Sequence, residues 1–149
     1  MAREYELAIP HELPRAGRTA LVREFSQYLA ERYGVAVDFA IHGAHWRGDQ
    51  RNYHAHVLTT TREVTPEGLG AKTALELSET DRARRGMRHS REEFVEIREC
   101  IIEKSLKIRR RDVPIILHRN SCFNSVSKKR FQLLVLLTKQ RNVRRRTRS

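Results

Sequence analysis

The chain has 149 residues, 39% of them hydrophobic and 32% charged, which predicts one domain with a modest core. It shows no signal-peptide pattern, no apolar run long enough to cross a bilayer and only two cysteines, which argues against membrane insertion and a disulfide framework and predicts a cytoplasmic protein. The formal net charge of +12 predicts a polyanionic partner or a solubilising tail.

The first part of the chain predicts a strand, a helix and two further strands. Residues 5–10 alternate weakly and end at a proline, as a short strand does. Residues 18–34 predict an amphipathic helix that ends at a glycine cap. Residues 35–41 are apolar at almost every position, and residues 54–62 are rich in β-branched side chains, so both predict strands. The polar residues 43–52 between them predict a loop.

The next part predicts turns followed by one long helix. Residues 63–72 are rich in turn formers, residues 73–77 predict a helical turn, and residues 81–86 form a charged break. A helix from about Arg91 to Ile108 follows, because Ser90 and Glu93 fit a capping box ahead of an apolar pattern. The order of strands and helices predicts an α+β fold.

The last part of the chain differs in charge. Residues 1–81 carry 9 basic and 12 acidic side chains, whereas residues 82–149 carry 21 basic and 6 acidic ones. Residues 141–149 predict a disordered basic tail. We therefore divide the chain into a domain at residues 4–108 and a basic, poorly ordered segment at residues 109–149, disordered or unrelated to that domain.

Four of the seven histidines lie in residues 42–56, around the predicted loop. His54 and His56 alternate along a strand, so their side chains share one face, with Cα atoms about 7 Å apart. His42 ends the preceding strand and can supply a third ligand, whereas His45 is a poorer candidate because no strand fixes its direction. Three imidazoles on an antiparallel strand pair predict a divalent-cation site. The alternative is three unrelated surface or core histidines.

Several segments resemble the MobA/MobL family of conjugative relaxases, in particular the Ti-plasmid type. The resemblance runs from about Glu4 to Glu99. Its carrying segments are Glu6-Leu7-Ala8-Ile9-Pro10, Ala20-Leu21-Val22-Arg23-Glu24-Phe25, Asp38-Phe39-Ala40-Ile41-His42, Arg51-Asn52-Tyr53-His54-Ala55-His56-Val57-Leu58 and Gly68-Leu69-Gly70-Ala71-Lys72-Thr73. The specific element is an isolated histidine at a strand end with a downstream H-x-H, since H-x-H alone is a weak signal.

The resemblance implies an antiparallel sheet with helices packed on one face. In the family, a tyrosine attacks a phosphodiester of plasmid transfer-origin DNA, and three histidines hold a divalent cation (Mg²⁺, Mn²⁺ or Zn²⁺) that polarises the phosphate. Carried over by position, the ligands are His42, His54 and His56. Single-stranded plasmid DNA and other conjugation proteins are the implied partners. Asp38 and Asp49 are the nearest carboxylates in sequence that could orient the ligands.

The sequence also departs from the family pattern. The family's nucleophilic tyrosine lies upstream of the strand that residues 6–10 resemble, and this sequence starts close to that strand. Tyr5 does not match the nucleophile motif, so the catalytic residue stays unassigned. Tyr53 stands where the family often has proline and is expected to face away from the histidines. We therefore expect an incomplete relaxase domain that is inactive alone.

Candidate DNA contacts are Arg47 and Arg51, in the loop with Trp46, and Lys72, after two glycines. Arginine beside an aromatic ring suits single-stranded DNA, and the alternative is a solvated loop with a half-buried tryptophan. A second hypothesis for the whole chain is a non-catalytic DNA-binding remnant or accessory protein that uses the basic C-terminal half. A third is a small metal-dependent nuclease with water as the nucleophile.

Overall fold

The computed structural model describes residues 2–112 of the protein. Its elements in chain order are β1 (Ala2–Ile9), α1 (Arg15–Tyr33), β2 (Val37–His42), β3 (Tyr53–Thr60), β4 (Arg62–Thr65), β5 (Gly68–Lys72), a 3₁₀ turn (Ala74–Glu76), α2 (Glu79–Arg84) and α3 (Ser90–Asp112). This mixture of strands and helices confirms the predicted α+β class. None of the described helices is long and apolar enough to span a bilayer. Of the predicted basic segment at residues 109–149, residues 109–112 continue α3, and the rest, including the predicted tail, lies outside the described residues.

The main sheet has three antiparallel strands in the order β1-β3-β2. On one face, alternate side chains are almost fully buried, namely Tyr5, Leu7, Ile9, Ala55 and Val57. Helix α1 packs against β2 and β3 on this face, and α3 packs on α1. The intervening residues of the three strands point to the other face of the sheet, here called the open face. The open face comprises Glu4, Glu6, Ala8, Asp38, Ala40, His42, His54, His56 and Leu58. The expected sheet with helices on one face is therefore present.

Helix α1 supplies most of the layer that covers the sheet. Its apolar stripe is buried as predicted at Leu21, Val22, Phe25 and Leu29, and each such side chain contributes about 1.5–3 kcal/mol when it is fully buried. The helix begins at Arg15, three residues earlier than predicted, directly after an extended Pro14. It ends at Gly34, whose φ of 61° is a left-handed conformation that glycine adopts without steric cost.

Helix α3 completes the core with Ile97, Ile101 and Ile108 and continues to Asp112. The predicted capping box is replaced by other contacts. The backbone N–H of Ser90 donates to the Glu79 carboxylate at 3.2 Å, and the Glu93 carboxylate accepts from Arg82 and Arg32.

Two segments that the sequence predicted to be irregular form regular secondary structure. Residues 63–72 are mostly a β-hairpin, β4 with β5, turning at Gly68 with a φ of 127°. Its side chains are largely exposed, so the segment has no alternating apolar pattern that would predict strands. The charged residues 81–86 overlap α2, which Ser78 caps by accepting a hydrogen bond from the Asp81 N–H at 3.1 Å.

Arg82 of α2 is buried, with only 1% of its surface exposed. Its guanidinium donates to the carbonyl oxygens of Arg88 (2.8 Å) and Ala74 (2.6 Å) and to the Glu93 carboxylate (2.7 Å). A buried charge that is paired and fully hydrogen-bonded is tolerated in a core. Arg82 therefore joins α2, the 3₁₀ turn and α3. The charged composition of residues 81–86 had predicted a break at this point and not a buried residue.

Candidate metal centre

The three predicted ligands lie together on the open face of the sheet. The β2–β3 register places His42 directly opposite His54, and His56 follows two residues further along the same face. The ring centroids are 5.2 Å apart for His42 and His54, 4.9 Å for His42 and His56, and 5.4 Å for His54 and His56. One nitrogen from each ring lies within 4.8 Å of the other two.

The position of the cluster follows from the alternation of β3. Ala55 and Val57 are completely buried under α1, so His54 and His56 point to the opposite face. A register slip of one residue would bury both imidazoles and expose both apolar side chains, and the core therefore fixes the direction of the histidines. His42 lies at the end of the outer strand β2 and is exposed, whereas His54 and His56 are half-buried.

A fourth residue of the cluster is Glu4, which the sequence did not single out. Its carboxylate oxygen is 2.7 Å from Nδ1 of His56. Glu4 faces Leu58 across β1 and β3, so it reaches His56 on the diagonal, a distance that a long side chain spans. Because an ionised carboxylate only accepts hydrogen bonds, Nδ1 is the donor in this contact, and in the neutral ring Nε2 then keeps its lone pair for a ligand.

Neither of the two carboxylates named from the sequence is hydrogen-bonded to the histidine cluster in the described residues. Asp49 binds Arg51 through both carboxylate oxygens at 2.9–3.0 Å, and these bonds lower the pKa of Asp49 to about 2. Asp38 is exposed on β2 and faces Leu58 from the other side, so it also lies on the diagonal to His56, but its side chain is shorter than that of Glu4 and forms no hydrogen bond to the histidine. Glu4 is 52 residues from His56 in the chain, so only the strand pairing could identify it.

The cluster fits a cation by two observations. Nδ1 of His54 is buried, and no described group forms a hydrogen bond to it, which is unfavourable for a polar atom unless a ligand satisfies it. Metal–imidazole bonds of about 2.1 Å bring ligand atoms to about 4.2 Å apart at most. Nitrogens within 4.8 Å of one another therefore need only small ring movements to share one ion.

All four tyrosines of the sequence lie in the described residues, and none belongs to the open face. Tyr5 is buried in the core against Phe25, with centroids 6.2 Å apart, and burial raises the pKa of its hydroxyl well above the ordinary value. Tyr53 points to the helix side, where the Arg18 guanidinium lies 3.4 Å from its ring centroid. Tyr28 and Tyr33 belong to α1. No tyrosine of this chain is therefore placed to attack a phosphate at the histidines.

The three candidate DNA contacts are placed very differently. Arg47 is exposed in the loop that joins His42 to His54, and its guanidinium lies 4.2 Å from the ring centroid of Trp46. Arg51 is in the same loop but pairs with Asp49. Lys72 lies on the hairpin, beyond the far end of β3, and the six steps from His54 to Thr60 alone extend about 20 Å at about 3.3 Å per residue.

The fold and the cluster together define an α+β domain with three converging histidines on the open face of an antiparallel sheet. The chain belongs to the MobA/MobL family, whose family model matches residues 1–129. This assignment confirms the resemblance read from the sequence.

Three curated relatives are each 33% identical to the chain. The alignment with the mobilization protein MobL of Acidithiobacillus ferridurans has 98 residues and covers 52% of this chain and 26% of that protein. The alignment with the conjugal transfer protein TraA of Agrobacterium fabrum has 79 residues and covers 53% of this chain and 7% of that protein. The alignment with a probable conjugal transfer protein TraA of Sinorhizobium fredii has 72 residues and covers 48% of this chain and 6% of that protein. The chain thus matches about a quarter of the first relative and less than a tenth of the other two. No solved structure matches the chain significantly.

Proposed function

We propose that this chain is the metal-binding part of a conjugative DNA relaxase domain, a protein of plasmid transfer that acts on single-stranded transfer-origin DNA in the cytoplasm. The observation that carries the proposal is the convergence of His42, His54 and His56 on an exposed sheet face, in a chain of the MobA/MobL family. The names of its relatives, mobilization and conjugal transfer proteins, support the same role.

Each residue of the cluster has a distinct part. His42, His54 and His56 hold a divalent cation through one ring nitrogen each, and three protein ligands leave further positions for water or a phosphate oxygen. Glu4 orients His56 by accepting the Nδ1 hydrogen. When bound, the cation acts as a Lewis acid on the phosphate. The exposure of His42 leaves the site accessible to a polymer such as DNA.

The donor set orders the candidate metals. Imidazole nitrogen suits Zn²⁺ well, whereas Mg²⁺ prefers oxygen ligands and retains its water. An all-imidazole cluster therefore favours Zn²⁺ over Mn²⁺, and Mn²⁺ over Mg²⁺.

The chain alone binds DNA but does not nick it by the tyrosine route. Transesterification needs a tyrosine hydroxyl at the phosphate, and the four tyrosines present here belong to the core side of the sheet or to α1. In this proposal the nucleophilic hydroxyl comes from outside this chain. The chain is an incomplete relaxase in this sense only.

Basic residues supply contacts to the DNA backbone. Arg47 is nearest to the cluster and makes no ion pair within residues 2–112, while the charge of Arg51 is offset by Asp49. We assign Arg47 to phosphate near the metal site. Arg51 contributes less, and Lys72 contacts phosphate further along the strand.

Isothermal titration with Zn²⁺ tests the metal site. We expect one ion per chain, with binding lost in His54→Ala and strongly weakened in His42→Ala and His56→Ala. His89→Ala is the matched control, because His89 is exposed beside Glu79 and lies outside the cluster. Equal affinities for the wild type and His54→Ala would refute the proposal.

A second candidate function is a non-catalytic DNA-binding accessory role, which the excess of 21 basic over 6 acidic side chains in residues 82–149 supports. This role predicts affinity that falls steeply with salt and does not depend on the histidines. Replacing Arg144, Arg145, Arg146 and Arg148 by glutamine separates the two functions, because in the accessory role the slope of log affinity against log salt should fall by up to about 0.7 for each single-strand phosphate contact that is lost, whereas zinc binding is unchanged.

A further inference from the structure

Trp46 is the most exposed large hydrophobic residue in the described part of the chain, with 73% of its surface accessible. It is also the only tryptophan of the sequence. A tryptophan normally buries a large apolar surface in a core or an interface. The indole here lies on the loop between two of the candidate metal ligands, His42 and His54, and is available to a binding partner.

The loop that carries Trp46 is braced by its own polar groups. The side-chain amide of Gln50 donates to the carbonyl oxygens of His45 (2.9 Å), Trp46 (3.3 Å) and Gly48 (3.2 Å). The N–H of Gly48 donates to the His45 carbonyl at 2.8 Å and closes a turn around the tryptophan. A ring presented by a braced loop loses little conformational entropy on binding.

Charge around the indole favours an anionic partner. The Arg47 guanidinium lies 4.2 Å from the ring centroid, a cation–π arrangement. Asp49, the acidic residue of the loop, is occupied by Arg51, which leaves the positive charge of Arg47 available. An exposed aromatic ring beside a free arginine is the combination that binds single-stranded nucleic acid through base stacking and phosphate contact.

We propose that Trp46 and Arg47 form a stacking platform for an unpaired base of a nucleic-acid strand that runs past the histidine cluster. Trp46 is four residues from His42, so their Cα atoms are at most about 14 Å apart, and the base belongs to a nucleotide close to the phosphate at the histidines. The inference rests on the proposed function for the course of the strand. It adds the element that selects single-stranded over duplex DNA, because the faces of the bases inside a duplex are covered by their stacked neighbours.

Fluorescence of the single tryptophan tests the platform directly in the full chain. A mixed-sequence single-stranded oligonucleotide should quench the Trp46 emission, and a duplex of the same sequence should quench it little. An abasic oligonucleotide of equal length carries the same phosphates without bases, and it should bind by anisotropy while leaving the emission unchanged. Binding of the single strand with no quenching would overturn the proposal, since the contact would then lie elsewhere, for example on the basic C-terminal segment.

Variants provide a second measurement by anisotropy. Trp46→Ala should weaken single-strand binding roughly 5- to 140-fold, the equivalent of about 1–3 kcal/mol per stacked base, and Trp46→Phe should retain most of the affinity. Arg47→Gln should reduce the slope of log affinity against log salt by about 0.7, one single-strand phosphate contact. Leu69→Ala, an exposed apolar residue on the hairpin with 65% exposure, is the matched control and should change nothing. Equal affinity for the wild type and Trp46→Ala would overturn the platform.

The same titration separates the platform from the metal site. In His54→Ala, or with a chelator present, zinc binding is lost but the platform should still be quenched by single-stranded DNA. Quenching without any zinc binding by the wild type would leave the platform standing and refute the metal site. Zinc binding without quenching of Trp46 by single-stranded DNA would leave the metal site standing and refute the platform.

Discussion

Glu4 gives the sharpest test of how the sheet prepares the histidine cluster. In Glu4→Gln the side chain keeps its length and an acceptor oxygen but loses its charge, so the 2.7 Å contact to Nδ1 of His56 becomes an ordinary neutral hydrogen bond. In Glu4→Ala the contact is lost, and the His56 ring is free to rotate and to change tautomer. We expect weaker metal binding in both variants, with the larger loss in the alanine variant.

The magnitude follows from the environment of the pair. Changing a residue that orients a metal ligand typically weakens metal affinity about 10- to 100-fold, or about 1.4–2.8 kcal/mol. The side chains of Glu4 and His56 are 26% and 32% exposed, so water partly screens the charge. We therefore expect about tenfold for Glu4→Gln and nearer a hundredfold for Glu4→Ala.

Two measurements check this prediction. Isothermal titration gives the zinc affinity, and nitrogen NMR of the metal-free protein gives the His56 tautomer, which should carry its proton on Nδ1 in the wild type and become mixed in Glu4→Ala. Glu67→Gln is the control, because Glu67 is exposed at the hairpin turn. If both Glu4 variants bound zinc as tightly as the wild type, Glu4 would have no orienting role. A wild-type protein with the proton on Nε2 would contradict the geometry itself.

Three further outcomes are expected. Arg82→Met should lower the free energy of unfolding by about 3 kcal/mol, because a buried ion pair is broken while Glu93 keeps its bond to Arg32. Urea denaturation measures this free energy. The control Arg84→Met, at a side chain that is 76% exposed, should change the free energy of unfolding by less than about 0.5 kcal/mol. Burial would raise the pKa of Glu93, but the hydrogen bonds from Arg82 and Arg32 outweigh it and lower the pKa below its ordinary 4.5. Near this pH the folded state therefore binds fewer protons than the unfolded state, so the stabilisation from the ionised Glu93 is present above about pH 4.5 and is lost as the pH falls below it. Urea denaturation at a series of acid pH values should show a smaller loss of unfolding free energy for Glu93→Gln than for the wild type. Parallel plots of unfolding free energy against pH for the two proteins would contradict this role of Glu93. Finally, the wild type incubated with transfer-origin DNA and metal should give no covalent adduct on a denaturing gel, and an adduct abolished by Tyr5→Phe would show that Tyr5 leaves the core.

The local pattern of the sequence was sufficient for several features. The alternation of His54 and His56 with Ala55 and Val57 determines that both imidazoles share the face opposite the core, because strand geometry requires it. The apolar stripe of α1 and its glycine end likewise depend on short-range spacing. These features were enough to predict the α+β class and the three candidate ligands, whereas the family came from the resemblance of whole segments, such as Arg51 to Leu58, to MobA/MobL relaxases.

Only the tertiary structure decided the remaining features, since each depends on contacts between elements or within a loop that the periodic pattern of one helix or strand does not specify. Glu4 joins His56 through the β1–β3 register, and Arg82 is buried because Glu93 and two backbone carbonyls surround it. For Trp46 the sequence left two interpretations open, a DNA contact or a half-buried residue of a solvated loop, and the structure shows 73% of the side chain exposed on a loop closed by its own hydrogen bonds. A short-range pattern fixes which face of its own element a side chain takes, whereas register and burial arise from long-range packing that one sequence does not display.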